Sequence, residues 1–420
     1  MFGKKDARAL KPRKNIELSG KNIALRVVLM VLFIGIALAG VYFGVKGLLT
    51  RESGWTRIEA DSSSPAQASA DLDFEYCLSS NATMEYKLLT KLYTETSLRA
   101  WQVYHPTEAF TGLGNLQSVN AAPNQECTVE PELYRAFELL QAKGSRVLFL
   151  APVCAQYDAV FRSLSDDEAA AYDPAYSEEA AAYVAEVMGF VSDPQAISLD
   201  LLGENRVRLK VREDYLRYAA ENGIDAFLDF YWLKNAFVLD DIAAKLGEQG
   251  FRRGYLASRE GFCRYLDSAE DEYTLRIQAL EADGIRLPAS LQIRGPMSLA
   301  CLHSYSGPDL QAGDQSDRLI DYFYTYRNGR MVTPYLNPVT GESRAVIWDL
   351  TLLSPTASCG ELALSALPAL TAETWDAAAV AALPETEIAA IWCEGNTLYH
   401  TELPAELTMS DGTYTEQTVR

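Results

Sequence analysis

The chain is 420 residues long, carries a formal net charge of −20, and is 48% hydrophobic with seven cysteines and three histidines. That apolar content excludes a disordered polymer, and the length suggests two or three domain-sized units. The acidity opposes binding to nucleic-acid phosphates, and three scattered histidines (105, 303, 400) exclude a metal site built from neighbouring histidines.

The charge is uneven. Residues 1–51 hold ten Lys/Arg against two acids, and the remainder holds 27 against 55. A basic tail, 1–26, therefore precedes an acidic body. Between them, 27–45 runs 19 residues without a charge. A helix of that length rises about 28 Å, close to the roughly 30 Å hydrocarbon core. The basic flank places 1–26 in the cytoplasm and the body outside the cell membrane, as a single-pass anchor. The competing reading is a cleaved signal peptide, because Ala37-Leu38-Ala39 fits an A-x-A site.

Residues 46–73, rich in Ser, Ala and Pro towards their end, read as a linker, so the folded domain is expected over 74–408 with a tail at 409–420. In chain order the body predicts a helix at 130–144 with proline at its first turn, a buried strand at 147–150, and a solvated acidic stretch at 166–173. A helix at 177–190, a hairpin across 197–211 and a helix at 214–221 follow. Strands are expected at 227–230, 275–280, 291–294, 299–302 and 345–348, and a helix at 240–248. Asn328-Gly329 marks a hairpin between 322–326 and 331–336. Helices at 361–370 and 375–382 precede a last hairpin, 388–392 with 397–402. The alternation predicts an α+β or α/β body.

All seven cysteines follow the apolar run, and the nearest two stand 27 apart, so no CxxC or zinc-finger spacing exists. HExxH, GxSxG, P-loop and GxGxxG motifs are also absent. The odd count cannot pair completely. Mostly buried thiols are expected, with one long-range disulfide left open.

Several segments carry a resemblance. Leu116-Gln117-Ser118-Val119-Asn120-Ala121 precedes Val129-Glu130-Pro131-Glu132-Leu133. LDFYWLKNAFVLD spans 228–240, SREGFCRYL spans 258–266, and Asn337-Pro338-Val339-Thr340-Gly341 and 358–367 follow. In this order they resemble the FAD:protein FMN transferases, the ApbE-type flavin transferases, over roughly 75–403. The resemblance implies an α+β ectodomain of that fold. It also implies FAD as substrate, Mg2+, and transfer of FMN to a Thr or Ser of an envelope redox protein. The chemistry needs oxygen ligands for a hard cation and a tight backbone for phosphates.

Carried over position by position, Asp229 and Lys234 are the catalytic candidates. Asn120, Tyr231, Trp232, Asn235, Asp240, Tyr305 and Asn337 are the cofactor-binding candidates. Glu361 and Ser365, four apart on one helix face, are the metal pair. The departures matter as much. Tyr231-Trp232 stand for two glycines, Asn235 for the lysine, Glu260 for a glycine, Phe262 for an aspartate, and Thr333-Pro334 for two histidines.

Each candidate also has a plain structural reading. Glu361 and Ser365 suit a helix N-terminal acid and a back-bonded serine. Asp229 suits a turn, Lys234 a solvated surface, and Tyr231 and Trp232 core filling. Asn337 suits a turn, and His303 a satisfied, semi-buried site. Three functions therefore stand open: a transferase, a non-catalytic relative acting as a flavin-binding or scaffold ectodomain, and an unrelated membrane-anchored sensor or assembly protein.

Overall fold

The computed structural model describes residues 23–49, 51–266, 272–281, 284–304, 322–383 and 387–419. The chain divides into two units, Met1–Glu52 and Ser53–Arg420. In the first, α1 (Ile23–Leu49) is a 27-residue helix with no proline to break it. Its side chains are described for 27–41 only, and all of those are exposed. Over the described residues no helix is long and apolar enough to cross a membrane.

The second unit begins with β1 (Gly54–Arg57), β2 (Leu72–Leu78), α2 (Ala82–Val103), α3 (Leu116–Asn120) and β3 (Glu126–Thr128). Then come α4 (Pro131–Ala142), α5 (Ala151–Phe161), α6 (Asp166–Tyr172), α7 (Glu178–Val191), β4 (Ile197–Gly203) and β5 (Arg206–Val211). Next are α8 (Glu213–Asn222), α9 (Lys234–Glu248), β6 (Gly254–Ser258), β7 (Phe262–Tyr265), β8 (Glu272–Glu281), β9 (Gly284–Arg294) and β10 (Met297–His303). The chain continues through β11 (Tyr324–Thr325), β12 (Met331–Val332), β13 (Asp349–Ser354), α10 (Cys359–Leu370) and α11 (Ala377–Ala381). It ends with β14 (Ala389–Glu394), β15 (Thr397–His400), β16 (Glu406–Met409) and β17 (Thr415–Thr418).

Among the described residues the main sheet has nine strands in the order β1-β2-β6-β7-β10-β13-β14-β15-β17. Every pairing is antiparallel except β15 with β17. Side-chain alternation makes it two-sided. In β10, Ala300 and Leu302 enter the large core, where α9 and α10 pack. Met297 and Leu299 face the other way, into a second core shared with Tyr273, Leu291 and Ile293 of the small sheet β16-β9-β8. Strands β3-β5-β4 form another small sheet.

The 46–73 stretch is not simply a linker. It carries β1, and β2 begins at Leu72 and pairs with β6. Ile58 and Ala68 are buried. The expected tail likewise supplies β17, with Tyr414 buried. The first stretch gains from burying Ile58, Ala68 and Leu72, whereas β17 is exposed throughout and is held by its ladder with β15 and by buried Tyr414 beside it.

Five further expectations differ. Val147–Leu150 is a 3-10 turn running into α5, where Pro152 suits the first helical turn. The acidic stretch 166–173 is mostly helix α6, started by Ser165, whose hydroxyl accepts the Glu168 amide at 3.3 Å. Residues 227–230 form no strand, and α9 begins at Lys234 instead of 240. The strand expected at 345–348 starts at Asp349. The hairpins at 197–211 and 394–396 and the turn at Asn328-Gly329 are present, with Gly329 at φ +86°. No disulfide joins the seven cysteines.

Candidate functional site

The segment 227–235 crosses the large core between α3 and α9, and a single side chain fixes it. Asn120, buried at the end of α3, accepts the amides of Phe227 (3.2 Å) and Leu228 (2.9 Å). Its amide nitrogen donates to the carbonyls of Leu228 (2.9 Å) and Pro106 (2.9 Å). All four hydrogen-bonding capacities of the side chain are thereby used. Asn120 is a clamp on the segment and has none left for a cofactor.

The clamp aims Asp229 into the turn. Its carboxylate accepts the Tyr231 amide at 3.0 Å. Burial pushes its pKa up to about 6, with the Tyr231 amide and the Lys234 charge pulling the other way. Tyr231 stands at φ +53°, the left-handed region that favours glycine. The backbone thus keeps a glycine-type conformation while carrying a phenol. That phenol donates to Asp158 at 2.6 Å. Trp232 is buried, stacks on Phe262 at 5.9 Å and meets Tyr335 edge-on at 5.1 Å.

Acids gather around this turn. Asn235 donates to both carboxylate oxygens of Glu260, at 2.9 and 3.0 Å. Burial raises the pKa of Glu260, Asp158 and Asp71; Asn235 opposes it at Glu260, the Tyr231 hydroxyl at Asp158 and the Lys234 charge at Asp71. The Tyr322 hydroxyl is raised by burial and then by Glu260, Asp158, Asp71 and Asp229. The Lys234 charge acts on both Asp71 and Asp229 and holds their pKa values down against burial. The sequence singled out Lys234 and Asp229 but missed Asp158, Asp71 and Tyr322. Asp158 lies 73 residues from its partner Tyr231, and no local pattern marks such a pair.

The start of α10 closes the other side. Asp240 accepts the amides of Cys359 and Gly360, both at 2.9 Å. Ser358 accepts the Glu361 amide at 3.2 Å, and the Glu361 carboxylate accepts the Ser358 amide at 2.8 Å. This is a capping box. The first amides of the helix are therefore taken by protein groups. Burial raises the Asp240 pKa, with the Gly360 and Cys359 amides opposing. Ser365, one turn on from Glu361, receives the ammonium of Lys143 at 3.4 Å. Among the described residues no cluster of three His, Cys, Asp or Glu could hold a metal ion.

Asn337 sits in a turn, accepting the amides of Val339 (2.8 Å) and Thr340 (3.0 Å). His303 pairs with Asp349 at 2.7 Å. Tyr305 lies outside the described residues.

The sheet order, the helix pair α9–α10 and the 227–235 turn can be compared with solved structures. The crystal structure of the ApbE protein from Thermotoga maritima matches with a TM-score of 0.55 at 11% identity, covering 81% of this chain and 94% of that one. The fold is that of the ApbE flavin transferases. The flavin transferase ApbE from Vibrio cholerae matches with a TM-score of 0.50 at 10% identity, covering 86% and 99%. No family model matches the sequence. No curated protein matches it either.

Within this ApbE-like fold, the residues of the 229–235 turn and the Glu361–Ser365 pair do not fit a pyrophosphate and a metal ion. Two cavities touch the 229–235 turn, one beside Asp229 and Trp232 and one beside Asp71 and Lys234, and each holds about 10 Å³. Each admits one water at most, where a drug-sized ligand takes roughly 300–1,000 Å³. A cleft of about 300 Å³ does open at the start of α10, beside Asp240 and Ser358, with Arg252 and Arg264 in its wall. The Glu260 carboxylate faces Asn235, and a second anion nearby is opposed by Coulomb repulsion in a low dielectric. At the metal position, Glu361 serves the helix cap and Ser365 meets an ammonium.

Proposed function

We propose that this protein is a membrane-anchored, extracytoplasmic member of the ApbE fold that does not transfer FMN and serves as a binding or scaffold ectodomain. The observation that carries this reading is the replacement of the glycine turn. Trp232 is packed between Phe262 and Tyr335, and the half-buried Glu260 carboxylate takes the side-chain amide of Asn235 at the end of the turn. Phosphates need an open backbone and positive charge. This turn offers a filled core and several acids against one cation, Lys234. The anchor rests on the uncharged run 27–45, its basic flank, and the exposed side chains of 27–41 on α1.

An active FAD:protein FMN transferase, using magnesium and an envelope redox protein as acceptor, is the second reading. It is favoured by the raised pKa of Asp229 beside Lys234 and by the glycine-type backbone at Tyr231. Titration of FAD with the full chain at millimolar magnesium, followed by flavin fluorescence, separates the two. The scaffold reading expects no saturable change and no flavin in the purified protein. Saturable binding, or FMN appearing covalently on a threonine-bearing acceptor, overturns it.

A further inference from the structure

Away from this turn, a cleft of about 210 Å³ opens between α4 and β4. Its walls include Leu140, Leu148, Leu199, Leu201 and Leu228, with Arg146 among them. Leu199 and Leu201 lie on β4, an edge strand, and are only partly covered by the core. Arg146 is the charged group of the cleft. Its Nη2 donates to the carbonyls of Val191 (2.6 Å) and Ile197 (3.1 Å). The Phe149 ring centroid lies 4.7 Å from its guanidinium carbon. Its Nε is buried with no partner.

No carboxylate among the described residues reaches ion-pair distance of Arg146. Asp193, the acid whose charge acts on it, is bound to Arg212 at 2.8 Å. Burial lowers the Arg146 pKa, with Asp193 opposing. A partly buried cation lacking a counter-ion is costly unless something supplies one. An apolar wall with one convergent charge is the usual make-up of a small-molecule site.

We propose that this cleft binds a small amphipathic carboxylate, with its anionic head on Arg146 and its apolar body against Leu140, Leu148, Leu199 and Leu201. The volume sets the size at roughly ten non-hydrogen atoms, below the drug-sized range. The carboxylate supplies the missing negative charge, and an Arg–carboxylate contact is among the stronger polar pairs. The site shares no side chain with the 229–235 turn, so it stands whether or not that turn binds flavin.

The test is calorimetric titration of the full chain with 3-phenylpropionate and, separately, with its neutral amide. The acid binds saturably, and the amide binds at least tenfold more weakly. Arg146→Gln weakens the acid by a similar factor. Leu201→Phe, which narrows the cleft without touching Arg146, weakens both compounds. Arg146 also ties down two carbonyls, so Arg146→Gln carries a folding risk; the acid–amide comparison on the unaltered chain needs no variant. Absence of saturable binding overturns the proposal. So does equal affinity for acid and amide, or acid binding unchanged in a folded Arg146→Gln protein.

Discussion

Gly360 and Phe237 approach so closely that a Cβ on the glycine would lie 2.9 Å from the phenyl ring. The ring cannot retreat easily, because it packs edge-on to Phe230 at 5.0 Å and is 5% exposed. This contact brings α10 down onto α9 and lets Asp240 reach the Cys359 and Gly360 amides. Helix propensity alone favours alanine over glycine by about 1 kcal/mol. Overpacking of a filled core costs about 1–3 kcal/mol. Gly360→Ala is therefore expected to destabilise by about 1 kcal/mol net in urea unfolding. Adding Phe237→Leu should make the alanine less harmful than it is alone, and a double-mutant cycle measures this coupling. Purely additive effects would sink the argument.

Asn120 offers a sharper test of the site's construction. Removing its side chain leaves the amides of Phe227 and Leu228 and the Leu228 carbonyl buried without their partner. Each such group costs about 1–3 kcal/mol. Asn120→Ala is expected to lose about 3 kcal/mol or more in urea unfolding. Asn120→Asp keeps the acceptor but sets a carboxylate against the Leu228 carbonyl, so it should also lose stability, and more at neutral than at acid pH. A near-neutral Asn120→Ala would show that the 227–229 segment is held by other contacts.

Much of this architecture could be read from local chemistry. Asn328-Gly329 turns because glycine tolerates φ +86°. Ser358 and Glu361 sit at capping-box spacing, and α10 starts there. Other parts depended on distant partners. A four-residue apolar run such as 147–150 reads equally as strand or helical turn until its neighbours are known. Its Leu148 carbonyl accepts the Asp229 amide, 81 positions away. The face of β10 that carries Met297 and Leu299 is covered by β8, β9 and β16, and no period in β10 announces that cover. The candidate site was legible as positions only. Asn120 and Asn235 are buried and Asp240 half-buried, but their partners lie 108, 25 and 120 residues away. Long-range partners are what decide between a ligand group and a clamp.

Glu361 distinguishes a metal ligand from a cap. Within the capping box, glutamine at this position serves as well as glutamate. Glu361→Gln is therefore expected to leave the thermal midpoint nearly unchanged, while Glu361→Ala loses about 0.5–2 kcal/mol. EDTA should leave the midpoint of the unaltered protein where it was, and magnesium should not raise it. The cap reading fails if magnesium stabilises the unaltered chain and Glu361→Gln abolishes that gain, since a ligand that binds only the folded state must raise its stability.

Asp241 makes stability depend on pH in a defined direction. Its carboxylate accepts the Tyr104 hydroxyl at 3.0 Å and lies 3.5 Å from Arg135. Burial pushes its pKa from 3.8 up to about 7, with the Tyr104 hydroxyl opposing. The folded state therefore holds this proton more tightly than the unfolded chain does. For such a group stability is greatest below the unfolded pKa and declines as pH rises towards the folded one. The decline falls between about pH 4 and pH 7 and amounts to something on the order of 2–3 kcal/mol after relaxation. Asp241→Asn still accepts from Tyr104 and cannot ionise. Its stability relative to the unaltered protein is expected to be close to zero at about pH 4 and clearly positive at about pH 7.5, read by urea unfolding at both values. An equal difference at the two pH values would mean that Asp241 ionises in the fold as readily as in the unfolded chain.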